Sequence, residues 1–221
     1  MKKFFFENRI NFLFLFISFL CLIGTIGAEN ISFQSIKWLH NRDDIAAPHF
    51  GWYFFKNDIW RFPLGSNPNY GDGIGSSIVY IDSVPILPLI FKLFRSFLPE
   101  PFQYVSFLYF ICFYLQLFFS YKILKKFTNS DLYSVIGSLF FIVAPILIWT
   151  SQLSPGLSNQ WILLLALYLA LIQKINKSKL SWFFIIILSS LINFYFMITI
   201  ITVYSLLRIF NLKFKREIFF K

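Results

Sequence analysis

Between residues 43 and 82 the chain gathers most of the side chains that can do polar chemistry. Five of its six aspartates (Asp43, Asp44, Asp58, Asp72, Asp82) lie there, with His49, one of its two histidines. A loop carboxylate can take the proton of an attacking hydroxyl or orient it, and an imidazole can act as a base or hold a carboxylate in place. Pro48 fits the first turn of a helix, so a short helix is expected near 48–57, with Asp43 and Asp44 just before its amino terminus. An aspartate there has an ordinary alternative job, capping the helix. His49 also has one, packing at an interface.

Other chemistries find little support. Gly71, Gly73 and Gly75 imitate part of a dinucleotide fingerprint, but no strand precedes them and no Gly-Lys-Ser/Thr follows. There is no Asp-x-Asp pair and no Cys or His spacing that suggests zinc. No cofactor is expected, and a divalent metal held by loop carboxylates is conceivable without being indicated. Cys21 and Cys112 both fall in apolar runs and read as buried thiols.

The elements that must position these residues are apolar helices. A chain of 221 residues that is 57% hydrophobic, 22% aromatic and 14% charged cannot hide its apolar surface inside a globule. Its net charge of +10 sits in short clusters flanking apolar runs, which argues against nucleic acid and for a membrane. The expected fold is all-α and polytopic. Residues 1–28 form a first transmembrane helix, 29–101 a long extracytoplasmic loop with surface helices near 48–57 and 83–98, and 102–221 a transmembrane bundle. Helices are expected near 102–121, 132–150 and 158–173, the middle break being set by Pro145 and by Ser154-Pro155-Gly156. The last run, 180–207, has Asn193 at its middle and reads as a broken hairpin in preference to one tilted helix.

Segment 78–98 carries Asp82, Pro85, Pro88, Lys92 and Arg95. Its less apolar positions fall in one helical stripe, which suits the membrane surface better than a crossing. Charge agrees. With 78–98 on the outer surface, the inside holds 14 basic and 3 acidic residues and the outside 6 basic and 7 acidic. The amino terminus is then expected to be cytoplasmic. Trp38, Trp52 and Trp60 would hold the loop at the lipid surface.

Three stretches, DDIAAPHFGWYFFKNDIWRFPLG, GSSIVYIDSVPILPLIFKLF and FQYVSFLYFICFYLQ, resemble a family of bacterial membrane proteins with the architecture of the glycosyltransferase-C superfamily. In that family's pattern an Asp precedes a His-Phe-x-Gly-Trp-x-Phe-Phe helix and a Thr-Asp-Ser-x-Pro motif opens the next. Here those positions fall on Asp44, His49 to Phe55, and Ile81 to Pro85. The spacing from Asp44 to His49 is one residue longer, which leaves Asp43 or Asp44 as the counterpart. The resemblance implies transfer of a sugar from a polyprenyl-phosphate carrier, with Asp44 as the base or orienter of the acceptor. His49, Arg61, Asp82, Lys92 and Arg95 would be substrate-binding, the cations facing a lipid phosphate. It also implies an amino-terminal fragment that needs a downstream partner chain, since superfamily members usually have more membrane passes. The alternatives are a lipid-carrier transporter or flippase, and a noncatalytic membrane subunit.

Overall fold

The computed structural model of the protein describes residues 2–40, 43–172 and 179–219. The fold is all-α. Its helices are α1 (Lys2–Ile26), α2 (Lys37–His40), α3 (Asp43–Asn57), α4 (Ile86–Leu93), α5 (Val105–Thr128), α6 (Asp131–Ile142), α7 (Pro145–Leu153), α8 (Trp161–Ile172), α9 (Lys179–Ser190) and α10 (Phe194–Phe219). The described strands are a two-residue antiparallel pair, β1 (Ser66–Asn67) and β2 (Ser76–Ser77), which pins the loop between α3 and α4.

Two helical stretches among the described residues, Asn8–Ile26 and Val105–Thr128, are long and apolar enough to cross a membrane. The pair α6 and α7 makes a third if counted as one span, bent by 43°. The bend falls where Pro145 opens α7, because proline can start a helix but cannot donate to the preceding turn. Helices α8 and α9 have 12 described residues each, about 18 Å, short of the roughly 30 Å hydrocarbon core.

The core lies where α1, α5 and α8 meet. Phe14 and Tyr121 join α1 to α5 edge to face at 5.6 Å, and Phe119 stacks on Trp161 at 6.1 Å to join α5 to α8. The run 180–207 is broken at 191–193. Trp182 on α9 meets Tyr204 on α10 with ring centroids 5.2 Å apart, whereas 22 intervening steps of straight helix would separate them by about 33 Å. The two arms are therefore folded back on each other about Asn193.

Helix α3 begins at Asp43, not at Pro48, which lies inside it. Proline costs an internal helix a hydrogen bond, and here the bond lost is to the Asp44 carbonyl. Ile45 is fully buried in the main core with Leu39, and that packing holds the turn ahead of Pro48 helical. Asp43 and Asp44 thus occupy the first turn of the helix instead of preceding it.

The second surface helix is also shorter than 83–98: α4 covers eight residues, followed by a 3-10 turn at Arg95–Phe97. Its sides are reversed from the expected arrangement. Pro85, Pro88 and Lys92, the first half of the less apolar stripe, are buried against the loop, whereas Arg95, Ser96 and Pro99 of the same stripe are exposed. Ile90, Leu93, Phe94 and Phe97 are exposed, Phe97 to 87%. An apolar face turned outward on an eight-residue helix is what a bilayer would cover.

Candidate functional site

Three connections meet at one end of the bundle, and Asp82 ties them together. Ser154, in the α7–α8 turn, donates its hydroxyl to Asp82 Oδ2, and the Gly156 amide donates to the same oxygen at 3.3 Å. Asn193, in the break between α9 and α10, donates from Nδ2 to Asp82 Oδ1 at 2.8 Å. Next to these the Ile86 amide donates to the Leu191 carbonyl at 3.0 Å. Gly156 must be glycine for this arrangement: a Cβ there would stand 1.9 Å from Asp82 Oδ1 and 2.8 Å from Asn193 Nδ2.

The backbone around Asp82 is strained to present its side chain. Asp82 and Val84 both have left-handed φ, +54° and +53°, and for a β-branched valine that conformation costs roughly 1–3 kcal/mol. Ser83 between them is buried, donating to the Ile78 carbonyl at 2.6 Å and accepting from the Tyr104 hydroxyl at 2.7 Å through its own carbonyl. Burial pushes the Asp82 carboxyl up from its ordinary range; the Ser154, Gly156 and Asn193 donors oppose this, and the charge of Asp44 adds to it. Asp44 is itself exposed and close enough for its carboxylate to act on Asp82. The side chain of Asp43 lies outside the described residues. Beside Asp82 opens a cavity of about 310 Å³, walled by Asp82, Ser154, Ser190, Asn193 and Tyr195 among others.

His49 belongs to a second place. The chain's two histidines touch each other, His40 Nε2 lying 3.1 Å from His49 Nδ1, so one ring donates and the other accepts. His49 is buried, and its pKa falls to about 4 because burial, then the neighbouring His40, outweigh the favourable Phe102 carbonyl, with Lys56 adding to the depression. The pair lines a second, largely apolar cavity of about 400 Å³ with Phe50, Tyr53 and Phe54, closed by an ion pair of Lys56 with Glu100.

The expected cations form a third group, at the carboxy-terminal end of α3. Lys92 is 2% exposed, with its ammonium 3.8 Å from the Phe55 ring centroid and 4.7 Å from that of Trp60. Burial holds its pKa below the usual lysine range, opposed by Asp58 and reinforced by Arg95 and Arg61. Lys92 therefore does not face outward toward a lipid phosphate. Arg95, which is exposed, donates from Nη1 to the carbonyls of Lys56 (3.1 Å) and Asp58 (3.0 Å), capping the end of α3. Arg61 pairs with Asp58 at 3.5 Å. Burial would raise the Asp58 carboxyl, but the Ile59 amide, Arg61 and Lys92 together hold it below its ordinary range.

Asp44 thus lies within electrostatic reach of Asp82, whereas His49 lines the other cavity and the cations gather at the far end of α3. Thirteen helical steps, about 20 Å, separate Asp44 from Asn57, so the end of α3 where Arg61, Lys92 and Arg95 gather is far from Asp44. Sequence reasoning missed Ser154, Gly156 and Asn193 as site residues. The available signals were an asparagine in the middle of an apolar run and a Ser-Pro-Gly turn. It missed His40 as well, although a chain with two histidines nine residues apart invites the question. Among the described residues no three His, Cys, Asp or Glu side chains converge as a metal site.

No curated protein and no solved structure matches the chain. A family model does, over residues 15–218, nearly its whole length. By that match the chain belongs to the family described as Domain of unknown function (DUF6311).

Proposed function

We propose that this chain is a membrane glycosyltransferase, or the amino-terminal part of one, moving a sugar from a polyprenyl-phosphate carrier to an extracytoplasmic acceptor. The observation that supports this reading best is the contrast between two neighbouring carboxylates. Asp82 is committed to three donors, while Asp44 beside it is exposed at the first turn of a surface helix. An exposed carboxylate within electrostatic reach of one that lines a cavity suits the step the reaction needs. The acceptor hydroxyl attacks the anomeric carbon, its proton passes to the Asp44 carboxylate, and the bond from the anomeric carbon to the phosphate oxygen breaks with its electron pair leaving on the phosphate.

The polytopic topology is part of the same proposal. The loop carrying Asp82, the α7–α8 turn and the α9–α10 break all meet at one end of the bundle. Lys125 pairs with Asp131, and Lys126 donates to the Leu171 carbonyl, at the opposite ends of these helices. This supports an extracytoplasmic Asp82 end and a cytoplasmic basic end. Arg61 and Arg95, distant from Asp44, are read as contacts to lipid headgroups.

Transfer is assayed in native membranes carrying the protein, with polyprenyl-phosphate sugars as donors. Asp44→Asn should lower transfer about 100- to 10,000-fold at unchanged protein level. An Asp44→Asn protein with near-normal transfer would remove the base from the proposal, and an equal comparison with Asp43→Asn identifies which of the two acts.

A further inference from the structure

We propose that the cavity beside Asp82 binds an uncharged, hydroxylated ring, that is, a sugar residue. This rests on the glycosyl-transfer reading and adds where the sugar sits. The cavity is about 310 Å³, at the lower end of the roughly 300–1,000 Å³ of small-molecule sites. Its size suits a single ring better than an extended chain.

Its walls offer both kinds of hydrogen-bonding group. Asp82 Oδ1 accepts one bond, from Asn193, and a carboxylate oxygen can accept another. Asn193 Nδ2 uses one of its two hydrogens on that bond, which leaves the second as a donor. Ser190 donates its hydroxyl to the Ile187 carbonyl at 2.7 Å and keeps its lone pairs. A ligand that satisfies adjacent acceptors and donors must itself donate and accept at neighbouring positions, as a polyol does.

Charge disfavours anionic ligands. No lysine or arginine lines the cavity among the described residues, and the acidic group on its wall is Asp82, so a phosphate finds no cationic partner there. A lipid tail would leave the polar wall without partners, at a cost of about 1–3 kcal/mol per group. The rim completes the match. Tyr80, Phe194 and Tyr195 are all more than half exposed around the opening, giving flat apolar surfaces on which the C–H face of a ring can rest while its hydroxyls turn to the polar wall. The second cavity, with its aromatic walls and two histidines, lacks this division and serves as an internal control.

The test is saturation-transfer NMR on the full chain in nanodiscs of phospholipid free of glycolipid and sugar detergent. The probes are free glucose, galactose, mannose and N-acetylglucosamine, with ethanolamine and inorganic phosphate as charged comparators. At least one sugar should receive saturation on its ring protons. Tyr195→Ala, which removes an exposed ring and no packing, should weaken that binding about three- to tenfold. Leu157→Trp, which fills the cavity, should abolish it, and Tyr53→Ala at the other cavity should leave it unchanged. The proposal is overturned if no sugar in the panel responds, if Tyr195→Ala binds as tightly as the parent, or if ethanolamine or phosphate displaces the sugar. Asp44→Asn should keep the binding. Sugar binding together with an active Asp44→Asn protein would sink the catalytic reading alone, and transfer that depends on Asp44 without binding in this cavity would sink this inference alone.

Discussion

Asn193 donates to Asp82 across 111 residues of chain, closing the loop between α3 and α4 onto the break between the last two helices. A hydrogen bond to a charged group contributes about 1.5–3 kcal/mol, so Asn193→Ala should lose that much stability in denaturant titrations of the protein in detergent. It should also loosen the α9–α10 break, read as faster hydrogen exchange at 191–193. A loss under 0.5 kcal/mol would mean the bond is not a latch.

Two glycines give a matched comparison. Gly156 has Asp82 and Asn193 inside the space of a Cβ, whereas nothing lies within 4 Å of a Cβ at Gly24 on α1. Gly156→Ala must displace the carboxylate and should cost about 2–4 kcal/mol. Gly24→Ala should be neutral or stabilising by up to about 1 kcal/mol, because alanine is the better helix former. Thermal unfolding of the two variants side by side decides it. Equal effects would contradict the packing at Asp82.

The histidine pair makes a pH prediction. The pKa of His49 falls from 6.5 to about 4 on folding, so the unfolded chain binds a proton between those values that the folded chain refuses. Stability from this group is therefore fully present above pH 6.5 and is lost as pH falls toward 4, on the order of 2 kcal/mol. His49→Gln should flatten that slope in unfolding curves taken between those pH values. A slope that persists in the variant would assign it elsewhere.

Lys92 separates two roles cleanly. If it stabilises the loop through the rings of Phe55 and Trp60, Lys92→Met should cost about 1–2 kcal/mol and leave sugar transfer within about threefold. Loss of transfer with stability intact would return Lys92 to a phosphate-binding role.

Sidedness can be read by thiol labelling. Ile74 is 92% exposed at the tip of the loop, and Lys126 is exposed beyond the core at the other end. In intact cells Ile74→Cys should react with a membrane-impermeant maleimide and Lys126→Cys should not. Cys21 and Cys112, held in apolar helices, should contribute little background. Asn67 is unsuitable for this purpose, because it is fully buried and donates to the Gly51 carbonyl. Reaction at 126 would reverse the proposed topology.

What the sequence by itself determined is whatever depends on local period and composition. The all-helical class follows from long apolar runs, the bend before α7 from Pro145, and the concentration of carboxylates from their placement in one polar loop. The stripe on 78–98 was legible, but its direction was not. A stripe of proline and lysine can face water or protein, and only the packing of Phe55 and Trp60 around Lys92 turned it inward. The start of α3 at Asp43 was equally hidden, since Pro48 argues for a later start and only the burial of Ile45 overrides it. The union of Asp82 with Ser154, Gly156 and Asn193 was decided by tertiary structure alone. Ser154, Gly156 and Asn193 lie 72 or more positions from Asp82 in the chain, and no local rule relates turns that meet only when the helices between them are packed.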